Sequence, residues 1–197
     1  MKTLLLVGTL HRVKEASRPL EEFLTHHKPD LISVEISPYG LSFRKRKREL
    51  IPKLPFFLRL FLEIPYEYKV AKEYALKRQI PVVPIDLCHL SRRFLRDAFG
   101  LLKNPRIEEP FLSFEGDVGF VKKAWNDKTF GMLIARRLDP KRERTLAFRI
   151  RKLLQHHPKR IAHIGGWIHM LDVSGTLYDL LKDLKPARFL VLPEEKG

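Results

Sequence analysis

The chain has 197 residues, 44% of them hydrophobic, enough for one domain with a full core, and this excludes wholesale disorder. One cysteine, Cys88, excludes a disulfide framework and any multi-cysteine metal centre, and no apolar run approaches the roughly 20 residues of a membrane-spanning helix. The net charge is +15, and it is clustered: six cations stand against one anion between Arg44 and Lys53, and eight against two between Arg136 and Lys152.

Only Leu4 to Val7 precede Gly8 as an apolar run, too few for a secretory leader, and with the lone cysteine this points to a reducing, cytoplasmic location. Only four side-chain amides beside 31% charged residues is a composition seen in thermophile proteins. The basic clusters suit an anionic partner, nucleic acid or an anionic surface, or else a solvated Lys/Arg-rich face.

Thr3–Val7, an unbroken apolar run closed by Gly8, predicts a buried strand. Ser17-Arg18-Pro19 opens a helix, with Leu20, Phe23 and Leu24 on one face and Pro29-Asp30 as its end. Leu31–Ile36 is the second strand. Leu41–Phe61 reads as two short helices, and Pro65 opens a longer one through Gln79. Ile80–Asp86 is the third strand, its prolines marking an edge. Leu90–Leu102 reads as helix and Lys103–Gly116 as loop. Asp117–Leu138 reads as one long helix, and Pro140 starts another that ends near His156-His157-Pro158. Arg160–Gly165 is the fourth strand, Met170–Leu184 a helix with a soft spot at Gly175, and Arg188–Leu192 the fifth strand.

Strands alternating with helices predict an α/β fold over residues 1–197: a mostly parallel sheet of about five strands flanked by helices, with helical insertions at about 41–79 and 103–157. Ligands of such sheets bind beyond the carboxyl ends of the strands. Applied here, that rule gathers Gly8-Thr9-Leu10-His11, Glu35, Asp86 and Gly166-Trp167-Ile168-His169. Two histidines and a carboxylate form a recurring ligand set for Zn²⁺, Mn²⁺ or Co²⁺. Glu35 lies in an apolar strand, where a carboxylate needs a partner. Asp86 ends its strand beside a helix start, a position that also suits a cap. Glu143 falls on the apolar face Leu146, Ala147, Ile150, Leu153 and Leu154 of the helix opened by Pro140, and Arg144 is one position round from it. His163 reads as an ordinary strand residue.

Gly8-Thr9-Leu10-His11, Val34-Glu35, Ile85-Asp86, Glu143-Arg144 and Gly166-x-x-His169 together resemble the TraB/PrgY/GumN superfamily, whose relatives include the Tiki proteases, the ChaN-like haem-binding lipoproteins and the erythromycin esterases. The order and rough spacing match from His11 to His169. The resemblance implies an α/β fold with these residues at one sheet edge, and divalent-metal-dependent hydrolysis of a peptide or other small substrate. His11, His169 and Glu35 would hold the metal, with Glu35 either a ligand or the base that takes a proton from water. Arg144 would bind the substrate carboxylate or the developing oxyanion, and Asp86 would line the substrate site. The chain departs from the family pattern at Trp167-Ile168, where the family favours small residues, and at Thr145, where it favours Asn or Asp. The competing reading is a non-catalytic basic protein that binds nucleic acid or another anion through residues 44–53 and 136–152.

Overall fold

Seven residues, Thr3–Thr9, form the strand β1 at the heart of the protein, and six of them are buried. The structure, a computed structural model, describes residues 2–100, 118–156 and 159–194. The other strands are β2 (Leu31–Val34), β3 (Val82–Pro84), β4 (Arg160–Gly166) and β5 (Ala187–Val191). All pair in parallel, in the order β3-β2-β4-β1-β5. The α/β architecture read from the sequence is thus present.

Alternation along the strands divides the core in two. Leu5, Val7, Ile32, Val34, Ala162 and Ile164 face helices α1 (Ser17–His27) and α4 (Tyr66–Arg78). Leu4, Leu6, Leu31 and Ile161 face the opposite layer, α8 (Pro140–His156) and α9 (Leu177–Leu180). Between β2 and β3 lie α2 (Pro38–Arg46), α3 (Phe56–Leu62) and α4. Between β3 and β4 lie α5 (Cys88–Gly100), α6 (Val118–Asn126), α7 (Lys128–Ala135) and α8. α2, α3 and α5 share a small core of Leu58, Leu62 and Leu95 with Tyr39 and Phe43. Among the described residues no helix is long and apolar enough to cross a membrane.

Four local expectations are corrected. The single helix expected over 117–138 is broken, because the Asp127 carboxylate accepts the N–H groups of Thr129 and Phe130 and starts α7 afresh. The helix expected over Met170–Leu184 is a 3₁₀ turn (Trp167–Met170), a loop, α9 and a second 3₁₀ turn (Lys182–Leu184). Gly175 takes φ +84°, which a helix cannot contain, and Thr176 Oγ1 then caps α9 by accepting from Asp179 N–H. Ser17 does not cap α1; its hydroxyl donates to Lys14 O at 2.6 Å. The third strand is shorter than expected, because Pro81 and Pro84 leave few N–H groups for pairing at a sheet edge. The loop expected over 103–116 lies outside the described residues.

Candidate functional site

Sheet order explains why residues distant in sequence meet. β4 inserts between β1 and β2, so the carboxyl ends of β3, β2, β4 and β1 stand side by side. They deliver Asp86, Glu35, the Gly166–His169 turn and His11 in that spatial order. β1 and β4 run in register to their ends, Gly8 opposite Gly165 and Thr9 opposite Gly166. Two of these glycines are required by close approach. A Cβ on Gly165 would lie 2.5 Å from Glu35 Oε2, and one on Gly166 would lie 2.8 Å from His11 Nε2.

Each imidazole is fixed by a buried carboxylate, and the two carboxylates come from opposite helix layers. His11 Nδ1 lies 2.7 Å from Oε1 of Glu67 on α4, and the same oxygen accepts the Thr9 hydroxyl at 3.2 Å. His169 Nδ1 lies 2.6 Å from Oε1 of Glu143 on α8, whose other oxygen accepts Leu177 N–H at 2.8 Å. A carboxylate only accepts, so both Nδ1 atoms carry the proton and both Nε2 atoms turn toward the site. There they face one atom: Glu35 Oε1 is 3.1 Å from His169 Nε2 and 3.9 Å from His11 Nε2.

Glu35 sits just past β2, tied to β4 through its backbone N–H to Ile164 O and through Oε2, which accepts Gly166 N–H at 2.7 Å. Its Oε1 also accepts from Arg142, in the first turn of α8. The same guanidinium forms a fork on Asp86, Nε to Oδ1 and Nη2 to Oδ2, both at 2.9 Å. Its Nη1 is 3.3 Å from His169 Nε2.

These contacts set the charges. Burial alone would raise the Glu35 pKa, but His169 and Arg142 outweigh it and hold the carboxyl well below its usual range. Burial opposes a charged His169, but Glu35 and Glu143 raise its pKa to about 10. His11 moves upward too: burial pulls it down, and Glu67 more than compensates. Arg142 is raised against the pull of burial by Glu35 and Asp86. One strand away, His163 is fully buried with Nδ1 3.0 Å from Ser33 Oγ, and burial lowers its pKa to about 4.

Two imidazoles and a carboxylate are donor types that a divalent transition ion takes. Two donors sharing one tetrahedral ion at about 2.1 Å lie about 3.4 Å apart, and the two Nε2–Oε1 separations of 3.1 and 3.9 Å bracket that spacing. Carboxylates on the far ring nitrogens are the usual support of metal-bound histidine. Among the described residues no three such side chains form a ready-made cage. The proton of His169 and the guanidinium of Arg142 are the cations that balance Glu35 instead.

The sheet edge brings together His11, Glu35, Asp86 and His169, as the strand-end rule predicts. It does not bring in Arg144, which is exposed and donates to Pro140 O on its own helix. Arg142, two positions earlier, points into the site in its place. Asp86 is engaged by Arg142 as part of the site. Glu67 and Arg142 escaped the sequence reading. Glu67 had a signal: with Ala71, Tyr74 and Ala75 it lies on one helical stripe, and it is 2% exposed. Arg142 had none, since it lies in a run of charges. Part of the second basic segment is engaged internally: Arg149 donates to Ile85 O and Asp86 O, and Arg151 to Leu180 O and Asp183. Lys45 to Arg48 remain exposed.

No protein-family model matches this sequence, and no curated protein matches it.

Proposed function

We propose that the chain is a divalent-metal-dependent hydrolase acting on a peptide or another small substrate at the carboxyl edge of its sheet. The observation that carries the reading is the convergence of two carboxylate-anchored imidazoles on Glu35 Oε1. The resemblance to the TraB/PrgY/GumN superfamily agrees with it.

His11, His169 and Glu35 would hold the ion, a Mn²⁺, Co²⁺ or Zn²⁺. Such an ion supplies a polarising charge for the scissile carbonyl and a water acidic enough to attack it near neutral pH. Glu67 and Glu143 hold both rings with Nε2 aimed at one point, so the rings need not turn when a cation arrives; only the Nε2 proton of His169 has to leave. His169 and Arg142 hold Glu35 well below its usual pKa range, so its Oε1, which both Nε2 atoms face, is an ionised acceptor for a proton. Arg142, clamped by Asp86, presents Nη1 to the same space and stabilises negative charge that develops on a carbonyl oxygen. It takes the role expected of Arg144.

The test is the metal content of protein purified without chelator or affinity metal, beside a His11→Ala/His169→Ala variant. About one equivalent of transition metal, absent from the variant, is the expected result. No uptake after Mn²⁺, Co²⁺ or Zn²⁺ is supplied overturns the reading. Glu35→Gln separates the two roles of that residue: retained metal with lost hydrolysis makes it the base, and lost metal makes it a ligand.

A further inference from the structure

The segment from Lys45 to Phe56 leaves the end of α2 and carries chemistry that the candidate site does not use. Five cations, Lys45, Arg46, Lys47, Arg48 and Lys53, are exposed along it, and so are the apolar residues Leu50, Pro52, Pro55 and Phe56. Leu50 is 39% exposed and Phe56 64%, although large apolar side chains are among the residues most often buried. We propose that this corner docks the protein on an anionic lipid bilayer, with Leu50 and Phe56 entering the headgroup layer and the cations pairing with lipid phosphates and carboxylates. The proposal is independent of the hydrolytic reading, since none of these residues belongs to that site.

Local structure gathers these side chains. The N–H groups of Lys47, Leu50, Ile51, Lys53 and Leu54 each donate to a carbonyl three or four residues earlier, so the chain keeps turning from α2 to Leu54. At the rise of such turns, about 1.5–2 Å per residue, Lys45 to Lys53 span no more than about 16 Å. Ile51 is buried with Leu58, Leu62 and Leu95, and Leu54 packs against the same cluster, which pins the corner to the fold. Its charge is little compensated. Glu49 is the one acidic residue between Lys45 and Phe56, and it lies 3.8 Å from Arg48 with both side chains well exposed. Among the described residues no ion pair holds Lys45, Arg46, Lys47 or Lys53. The dipole at the C-terminal end of α2 accounts for Lys45 to Lys47, but not for Arg48 and Lys53, nor for a phenylalanine held in water beside them. Cations draw a protein to an anionic membrane surface, and apolar side chains among them hold it there. Nucleic acid would use the same cations, but Leu50, Pro52 and Pro55 have no aromatic face on which a base can stack. Phe56 has one, and Arg59 stands over it with Cζ 5.7 Å from the ring centroid. At its other end α2, nine residues or about 14 Å long, starts beside Ser37, which lines a cavity with His11 and Glu35.

The probes are vesicles of phosphatidylcholine alone and of an equimolar phosphatidylcholine–phosphatidylserine mixture, sedimented with wild type, with Lys45→Gln/Lys47→Gln/Arg48→Gln and with Phe56→Ala. All four positions are exposed, so the variants are expected to keep the fold, which circular dichroism checks. Wild type should bind the mixed vesicles at least about 100-fold more tightly than the neutral ones at physiological ionic strength. The triple variant should lose about 100-fold of that affinity, about fivefold per cation, and Phe56→Ala about tenfold. Tryptophan emission from Phe56→Trp, read against wild type with its Trp125 and Trp167, should shift to the blue on the mixed vesicles and be quenched by brominated acyl chains. Equal binding to both vesicles, or a triple variant that binds as wild type does, overturns the inference. An unshifted emission overturns it as well, since the corner then does not enter the lipid. RNA that binds at lower protein concentration than the mixed vesicles require, and is released by the triple substitution, assigns the corner to nucleic acid and overturns the bilayer.

Discussion

His169 and Glu143 are 26 residues apart in sequence and 2.6 Å apart in space, Nδ1 to Oε1, with both side chains nearly inaccessible to water. The pair decides which ring nitrogen of His169 faces the site. Replacing Glu143 by Gln keeps the shape but removes the charge that orients and enriches the imidazole. Metal affinity is expected to fall about 10- to 100-fold while the chain stays folded. Glu67→Gln should do the same through His11. Metal titration beside a melting curve checks both.

Metal and proton compete for one atom. With its pKa near 10, His169 carries a proton at neutral pH in the metal-free protein, and that proton must leave before Nε2 can coordinate. Affinity should therefore rise about tenfold per pH unit from 7 toward 9. Calorimetry in buffers of different ionisation enthalpy should register close to one proton released.

Two histidines should give the metal-free protein opposite stability limbs. His163 has a folded pKa of about 4 against about 6.5 unfolded, so between those values the unfolded chain binds the extra proton. Its stability contribution is present above pH 6.5 and falls by about 3 kcal/mol as pH drops to 4. His169 is raised, so its contribution is complete below pH 6.5 and is lost as pH rises through about 10. Denaturant melts across pH should peak near 6.5, and His163→Gln should flatten the acid limb alone.

Arg142 and Arg144 should separate cleanly. Arg142→Ala leaves Glu35 and Asp86 without their shared cation, a loss of about 3–5 kcal/mol for a buried pair. Arg144→Ala removes an exposed side chain bonded to its own helix and should stay within about 0.5 kcal/mol of wild type, with activity unchanged. Urea melts and peptide-hydrolysis rates distinguish the two.

Gly166→Ala should injure the site more than the fold. The added methyl meets the end of His11, whose side chain is 43% exposed and can be pushed outward at the expense of its bond to Glu67. At least a tenfold loss of metal affinity is expected, with a melting temperature within a few degrees of wild type. At Gly8 the same change meets backbone, Trp167 Cα at 2.9 Å, and should destabilise the protein outright.

Much of the fold was legible because its strands are apolar runs ended by glycine or proline, and the strand-end rule needs only those ends. It located His11, Glu35, Asp86 and His169 from one sequence. It failed for the arginine because α8 begins with charges at four consecutive positions, Lys141 to Arg144, and only packing decides which of them turns inward. It missed Glu67 because a carboxylate beside two tyrosines looks like surface charge until the stripe through Ala71 and Tyr74 is counted. The break at Asp127 was hidden by apolar residues on both sides that suit one helix as well as two.

The order of the sheet also fixes when in the life of the chain the site can exist. β1 and β2 do not pair with each other; both wait for β4, which follows them by more than a hundred residues. During synthesis their facing edges stay open, and His11 and Glu35 have nothing to hold them near each other. Closure of the sheet by β4 and arrival of His169 are one event. A nascent or truncated chain ending before Arg160 therefore lacks the strand that brings His11, Glu35 and His169 to one edge.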